Sequence, residues 1–181
     1  MNNNPMSVQA AIEQRASCRS FTDEPVSQAD LEQCLAAARL APSACNGQPW
    51  RFVVVQSEAG LQEIRGAVQQ LGMNPFVKQV SCLVVVVEET TSLLARFGAR
   101  MKQQDYTQID LGFAAAHFCL QATELGLGTC VLGWFDEAKI QRYLELPEGK
   151  RIRLVLAVGH PKEKINRTTS RKTMDQIREY R

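Results

Sequence analysis

Residues 41–56 read APSACNGQPWRFVVVQ, and this stretch changes character halfway along. Its first part is polar and rich in turn-forming residues, as in a loop that follows the end of a helix. Residues 51–56 contain the apolar, β-branched run FVVV and predict a strand. The loop offers donors and acceptors that could hydrogen-bond the edge of a flat heterocycle, from Ser43, Asn46 and Gln48. The alternative is an ordinary connecting loop in which Trp50 anchors the strand.

Helices and strands alternate on both sides of this stretch. Apolar runs predict further strands at 83–87, 129–134 and 152–158. Apolar residues at helical spacing predict helices that begin after the caps Ser7, Ser27 and Asp136, and further helices at 59–71 and 107–125. The run at 83–87 is apolar throughout, which indicates a strand buried on both faces. One sheet with helices on its faces is the economical arrangement, so the class is α/β or α+β.

The length, composition and charge of the chain limit which classes of protein it can belong to. The chain has 181 residues, is 45% hydrophobic and 22% charged, and carries a net charge of +2. These values predict one globular domain over residues 1–181, and the small net charge argues against nucleic acid as a partner. No apolar run approaches the ~20 residues of a membrane span, and no secretory signal is visible, so we expect a cytoplasmic protein. Residues 150–181 are basic, which indicates a solvated face or contact with an anionic ligand or acidic neighbour.

Cysteine and histidine usage favours neither a metal site nor a thiol relay. The six cysteines form no C-x-x-C pair, and four lie in apolar patterns typical of small buried residues: Cys34, Cys82, Cys119 and Cys130. The two histidines are too few for a His-rich metal site, and His117 has the setting of a structural histidine. No G-x-G-x-x-G or P-loop motif is present in the first 92 residues, so neither phosphate-binding fold is supported.

Three further short stretches could carry chemistry. Residues 15–21, RASCRSF, would place two guanidiniums and a hydroxyl on one side of an extended segment, where they suit a phosphate. Gly133 lies at a predicted strand end, where a glycine N–H can approach a ligand closely. Arg171 lies in the basic tail. Each stretch has an alternative interpretation. Residues 15–21 could be a solvated loop, Gly133 could mark a strand end with Trp134 in the core, and Arg171 could be a solvated tail charge.

The order and spacing of these stretches resemble the nitroreductase family of FMN-dependent oxidoreductases. The matching motifs are R-x-S-x-R-x-F at 15–21, A-P-S-x-x-N-x-Q-P-W at 41–50, D-x-G-x-A with G-L-G-T within 110–129, and R-K at 171–172. The resemblance covers residues 7–176. It implies an α+β fold with a central mixed, mostly antiparallel sheet flanked by helices. It also implies a homodimer that exchanges the tail 160–181 between subunits; residues 1–6 are expected to be disordered.

The resemblance also implies which residues contact FMN. Arg15 and Arg171 would hold the phosphate, and Arg19 would approach the pyrimidine end of the flavin. Asn74 would hydrogen-bond the flavin ring, and the backbone N–H of Gly133 would face flavin N5. The loop at 43–48 would come from the other subunit. The complete predicted set is Arg15, Ala16, Ser17, Arg19, Pro42, Ser43, Asn46, Gln48, Asn74, Leu132, Gly133, Trp134 and Arg171.

The activity implied is hydride transfer from NAD(P)H through flavin N5 to nitroaromatic, quinone or similar electrophilic acceptors, in a ping-pong scheme. No catalytic side chain and no metal are required. Residues 88–106 are too few for the helical excursion of larger members, which helps to form their substrate pocket. One alternative is a non-catalytic flavin-binding or storage protein. Another is a flavin-independent anion-binding or thiol-redox module that uses Cys18 or Cys45.

Overall fold

The computed structural model describes residues 6–90, 97–98, 101–164 and 169–181. Five helices have both ends among the described residues: α1 Val8–Gln14, α2 Gln28–Arg39, α3 Glu58–Val68, α4 Tyr106–Glu124 and α5 Glu137–Tyr143. Four strands accompany them: β1 Trp50–Val55, β2 Cys82–Glu88, β3 Gly128–Leu132 and β4 Ile152–Gly159. Short 3₁₀ turns cover Ala44–Asn46, Gln70–Gly72, Pro75–Gln79 and Met174–Gln176.

A side-chain cap begins each of these five helices. The cap oxygen accepts the N–H three residues further on, which satisfies a donor that the first turn leaves unpaired. The predicted caps Ser7, Ser27 and Asp136 are confirmed. Ser57 and Asp105 cap α3 and α4 in the same way.

The strands form one antiparallel sheet in the order β1-β2-β4-β3. Side chains of β2 alternate between its two faces, since successive residues of a strand point to opposite sides. Leu83 and Val85 pack with α3 and α5 in one core, while Val84 and Val86 pack with α2 and α4 in the other. The burial of β2 on both faces is therefore confirmed, and the fold is an α+β sandwich of three layers.

Two predicted boundaries are wrong by two or three residues. The strand predicted at 129–134 ends at Leu132, because Gly133 lies beyond the last ladder pair, Leu132 with Val155. The helix predicted at 59–71 ends at Val68, because Leu71 takes a left-handed φ of 54° that no helix accommodates.

Some predictions fall on residues that the structure does not describe. The predicted disorder of residues 1–6 concerns mainly residues 1–5, which lie outside the described residues. The comparison of residues 88–106 with larger family members includes 91–96 and 99–100, which also lie outside them. Among the helices that the structure describes, none is long and apolar enough to span a membrane.

Candidate functional site

The segment at residues 15–22 bonds to the start of β3 and to the residues that follow β4. Ser17 forms a parallel bridge with Thr129, and the Cys18 N–H donates to the Thr129 carbonyl oxygen at 2.8 Å. The Thr22 N–H donates to the His160 carbonyl oxygen, also at 2.8 Å. Ala16 and Cys18 are buried, whereas Ser17 and Arg19 are exposed. The extended backbone therefore turns the polar side chains of the motif outward, as predicted.

Two adjoining cavities bring Arg15 and Gly133 into one groove. The first, of about 280 Å³, is lined by Arg15, Val131 and residues of α4. The second, of about 450 Å³, is lined by Gly133, Phe135 and the start of β4. Gly112 and Leu154 line both cavities, so the two cavities adjoin each other. We call this pair of cavities the α4 groove.

Gly133 is exposed at the end of β3, where it faces the α4 groove. A Cβ added there would meet no atom within 4 Å, so no protein atom requires the glycine. No hydrogen bond joins its N–H to another described residue. An outward donor beside open space suits a ligand that approaches the backbone. Trp134, which follows, is 52% exposed, so the alternative of a core tryptophan is wrong.

Asn74 lies on a segment that packs against the 15–21 motif. Its backbone is left-handed, with φ 53° and ψ 47°, and its Nδ2 donates to the Val68 carbonyl oxygen at 3.0 Å. Phe76 stacks on Phe21 with ring centroids 6.2 Å apart. These contacts hold the half-buried Asn74 near the end of the motif.

The loop at residues 43–48 is held in an unusual backbone conformation. Cys45, Asn46 and Gln48 all have positive φ, at 50°, 52° and 45°. The Ser43 Oγ accepts the Gln48 N–H at 3.0 Å, and the Gln48 Nε2 donates to the Asn46 Oδ1 at 3.2 Å. That amide pair leaves the Gln48 Oε1 and the Asn46 Nδ2 to meet a partner on the loop surface.

This loop lies on the far side of α4 from the groove. Its Ala44 N–H donates to the Oδ2 of Asp110 at 3.0 Å. Asp110 and Gly112 are two residues apart on α4, which separates them by about 200° around the helix axis. The structure therefore brings Arg15 and Gly133 into one groove within one chain. It places the Asn74 segment against Phe21, outside the groove lining, and leaves Ser43, Asn46 and Gln48 on the opposite side of α4.

Arg171 does not line the α4 groove, and its hydrogen bonds stay within the tail. Its Nη1 donates to the carbonyl oxygens of Thr169 and Ser170, at 3.3 and 3.0 Å. Residues 169–181 are exposed throughout, including the large apolar side chains of Met174, Ile177 and Tyr180.

A carboxylate at the start of α5 was missed by the sequence reasoning. Glu137 accepts from the Arg151 Nε at 2.8 Å and from the Ile152 N–H at 2.8 Å. Ile152 lies next to a β-bulge, where Val86 pairs with Leu154 but Val87 pairs with Ile152. The Arg151 guanidinium holds the pKa of Glu137 below its ordinary value of 4.5, against the opposing effect of burial. Glu137 also lines the second cavity of the α4 groove, beside the start of β4.

We expect Glu137→Ala to lower the melting temperature at pH 7 by about 2–4 °C, since a carboxylate bond to the Ile152 N–H is lost. A carboxyl with a depressed folded-state pKa stabilises the protein above its unfolded pKa and loses that effect as the pH falls through the folded pKa. The difference from the unmodified protein should therefore shrink below pH 4.5. Thermal unfolding between pH 7 and pH 3 measures it.

The matched control is Glu58→Ala, which also removes the first residue of a helix and an ion pair with an arginine. The Glu58 side chain is 78% exposed, so little change is expected. A Glu137→Ala deficit that stays constant from pH 7 to pH 3 would contradict this assignment.

The cysteines are arranged as buried apolar residues rather than as a reactive pair. Cys34, Cys82, Cys119 and Cys130 are buried as predicted, and so is Cys18. Burial raises the pKa of the Cys18 thiol, which disfavours the nucleophilic thiolate. Among the described residues, no group of three or more His, Cys, Asp or Glu side chains is arranged to hold a metal ion.

Comparison with known proteins identifies the family. The model of the nitroreductase family matches residues 12–160, well over half of the 181 residues. The chain therefore belongs to the nitroreductase family, and the resemblance inferred from its motifs is confirmed.

Individual relatives agree with this assignment. An Archaeoglobus fulgidus protein, provisionally named an NADH dehydrogenase/NAD(P)H nitroreductase, is 31% identical over 153 residues and is matched over 82% of each chain. A Bacillus subtilis protein named FMN reductase (NAD(P)H) is 27% identical over 160 residues, which cover 82% of this chain and 63% of that protein. The solved structure of a Streptococcus pneumoniae nitroreductase family protein superposes with a TM-score of 0.79 at 23% identity. The superposition covers 97% of this chain and 100% of that chain, so the two share the same fold.

Proposed function

We infer that this protein is an FMN-dependent NAD(P)H oxidoreductase. Membership of the nitroreductase family and relatives named as FMN reductase and NAD(P)H nitroreductase support this class. The structural observation that carries the proposal is the α4 groove, which joins a cation, Arg15, to an outward backbone donor, Gly133. A flavin mononucleotide presents the matching features, a phosphate dianion and a ring with acceptor nitrogens.

The residues around the groove have the donor set that FMN requires. Arg15 and the exposed Arg19 supply positive charge on one segment, and Ser17 supplies a hydroxyl between them. Guanidinium groups bind phosphate oxygens in pairs of charge-assisted hydrogen bonds. Arg19 would also stabilise negative charge at the pyrimidine end of the ring. Gly133 would donate its N–H to N5, and Asn74 would bind the ring edge. Ala16, Leu132 and Trp134 would complete the contacts from this chain.

A homodimer completes the site in this proposal. The 43–48 loop lies on the opposite side of α4 from the groove, so one chain does not place it against its own FMN. A two-fold partner that packs along α4 would bring its own Pro42, Ser43, Asn46 and Gln48 to the groove. The face of α4 that would meet the partner is apolar but exposed: Ile109 is 40% exposed and Phe113 is 46% exposed. Exposed apolar patches of this kind mark interaction surfaces.

The same proposed homodimer would exchange the C-terminal tail between its two subunits. Met174, Ile177 and Tyr180 are 58%, 63% and 84% exposed, which leaves their apolar surface without cover. β1 is an outer strand of the sheet, whereas the other outer strand, β3, already bridges to Ser17. We therefore place the partner's tail against the β1 edge, where an added strand would satisfy the free backbone groups. Arg171 would then reach the FMN phosphate of the partner's site.

When bound, FMN supplies the redox chemistry, taking a hydride from NAD(P)H at N5 and delivering it to a nitroaromatic, quinone or similar electrophilic acceptor in a separate half-reaction. The protein's own groups bind and orient the reactants, and none has to act as an acid, base or nucleophile. Gly112, Leu111 and Leu154 line the groove with small or apolar surface that would exclude water from the ring. The open second cavity beside Gly133 would admit the nicotinamide and the acceptor in turn.

The two alternative functions, flavin storage and thiol redox chemistry, would give different turnover. A flavin-binding or storage protein would keep the FMN contacts but react slowly with NAD(P)H. A thiol-redox module would depend on Cys18 or Cys45. Cys18 is buried with a raised pKa, and no hydrogen bond links the exposed Cys45 thiol to a base among the described residues. Hydride transfer is the function that these residues support best.

The deciding experiment is anaerobic stopped-flow mixing of the purified protein with NADH and, separately, NADPH. We expect a yellow protein with one FMN per chain, whose absorbance near 450 nm bleaches within about a second, at the rates typical of enzymes. Adding a nitroaromatic or a quinone should then restore the colour. A colourless protein that takes up no FMN would overturn the cofactor assignment, and a yellow protein that neither nicotinamide bleaches would favour storage.

A further inference from the structure

We propose that Asp110 is a positioning residue for the cofactor, acting through the 43–48 loop. In this proposal its buried carboxylate holds the loop in the conformation that presents Ser43, Asn46 and Gln48 to FMN. The inference rests on the proposed function, and it assigns a role to a residue that belongs neither to the groove lining nor to the predicted cofactor set.

The loop needs an external anchor because its backbone is strained. Three non-glycine residues with positive φ lie within four positions, and such residues adopt this backbone conformation only where the surrounding structure holds it. Cys45, Asn46 and Gln48 are exposed, so side-chain packing does not hold them. The conformation must therefore be held by hydrogen bonds.

Most of those hydrogen bonds stay within the loop. The Asn46 and Gly47 N–H groups donate to the Ser43 and Ala44 carbonyl oxygens, both at 3.0 Å, and the Gln48 N–H donates to the Ser43 Oγ. Bonds of this kind shape the turn but do not fix its place on the protein. Among the described residues, one hydrogen bond ties the loop to an element distant in sequence: the Ala44 N–H donates to the Asp110 Oδ2 at 3.0 Å.

The setting of Asp110 indicates a dedicated contact. The residue is 5% exposed in the first half of α4, and the next residue, Leu111, packs in the apolar core. Burial raises the pKa of its carboxyl, and the Ala44 N–H opposes that effect. A buried carboxyl is costly without a hydrogen-bond partner, so it is retained where the bond it makes is needed. Here that bond orients the loop that we assign to the cofactor.

Asp110 also links the two halves of the proposed site. It faces the loop from one side of α4, and Gly112 faces the groove from the other. In the dimer that we propose, the loop serves the partner's FMN and the groove serves the chain's own. The first turns of α4 would therefore set the spacing between the two cofactor sites.

The test compares Asp110→Ala with Asp110→Asn in the full-length protein, with FMN affinity of the apoprotein measured by quenching of flavin fluorescence. We expect Asp110→Ala to weaken FMN binding roughly tenfold, as expected for one lost hydrogen bond to a charged group. Asp110→Asn should restore affinity to within about threefold, because its amide oxygen can still accept the Ala44 N–H. Hydrogen exchange should be faster at residues 44–48 in Asp110→Ala but not in Asp110→Asn.

The matched control is Ala122→Gly, a fully buried position on the same helix that does not contact the loop. It should lower the melting temperature while leaving FMN affinity and exchange at residues 44–48 unchanged. If Asp110→Ala does not fold, Ala44→Pro removes the donor instead, at a 3₁₀ start that tolerates proline, and should weaken FMN binding similarly.

Three results would overturn the proposal: unchanged FMN affinity in Asp110→Ala, unchanged affinity in Ala44→Pro, or an Asp110→Asn as weak as Asp110→Ala. Failure of the proposed function looks different, since the unmodified protein would then bind no FMN. In that case exchange at residues 44–48 still decides whether Asp110 positions the loop.

Discussion

Phe113→Glu is expected to convert the protein to a monomer and to weaken FMN binding by more than about 100-fold. Phe113 is 46% exposed on the apolar face of α4, together with Ile109, Gly112 and Ala116. A glutamate there would be buried without a partner in the dimer, which typically costs ~3–5 kcal/mol. Phe113 does not line the α4 groove, so loss of FMN would report loss of the partner's loop and tail.

Sedimentation velocity at micromolar protein, followed by FMN titration, measures both effects. Ala138→Glu is the matched control, because it adds the same charge to an exposed position of α5 in the other helix layer. That variant should remain dimeric and keep its FMN. A Phe113→Glu monomer that binds FMN normally would show that one chain holds the whole site.

Arg171→Ala is expected to weaken FMN binding about 10- to 100-fold and riboflavin binding much less. In the proposed dimer, the tail brings Arg171 to the phosphate that Arg15 also contacts. Each charge-assisted contact is worth ~1.5–3 kcal/mol, and about 1.4 kcal/mol corresponds to a factor of ten in affinity. Riboflavin has no phosphate, so a loss confined to FMN identifies the group that Arg171 binds.

Titration of both flavins into the apoproteins tests this expectation. Arg178→Ala is the matched control, since Arg178 is a tail arginine whose guanidinium pairs with Asp175 and lies over the Tyr180 ring. It should bind both flavins normally. Equal FMN affinity in Arg171→Ala and the unmodified protein would leave Arg171 as a solvated tail charge. Equal losses for FMN and riboflavin would place it away from the phosphate.

Much of the fold could be predicted because its signals are local. The helix starts at Ser7, Ser27 and Asp136 follow from cap bonds that span three residues. The central position of β2 follows from a run with no polar face, which only burial on both sides accommodates. The sequence indicates the family for a similar reason, since the family's motifs are contiguous stretches with characteristic spacing.

The candidate site could be predicted in part. The sequence predicts Arg15 and Gly133 as site residues from separate stretches, and the structure shows that they line adjoining cavities. The ends of β3 and α3 were predicted two or three residues too late, because strand and helix ends depend on ladder partners and backbone angles rather than on apolar content. Residue types alone indicate neither the ladder partners of a strand nor the backbone angles at a helix end.

By itself the sequence determined the layers, the helix caps and the motif residues of this protein. Only the tertiary structure showed that Asp110 accepts a hydrogen bond from the 43–48 loop and that Glu137 accepts the Ile152 N–H beside the β-bulge. It also showed that the loop and the α4 groove lie on opposite sides of one helix. The first two contacts join residues 66 and 15 positions apart. Such contacts depend on how the sheet and helices pack, because hydrogen bonds act over about 3 Å in space and not along the chain.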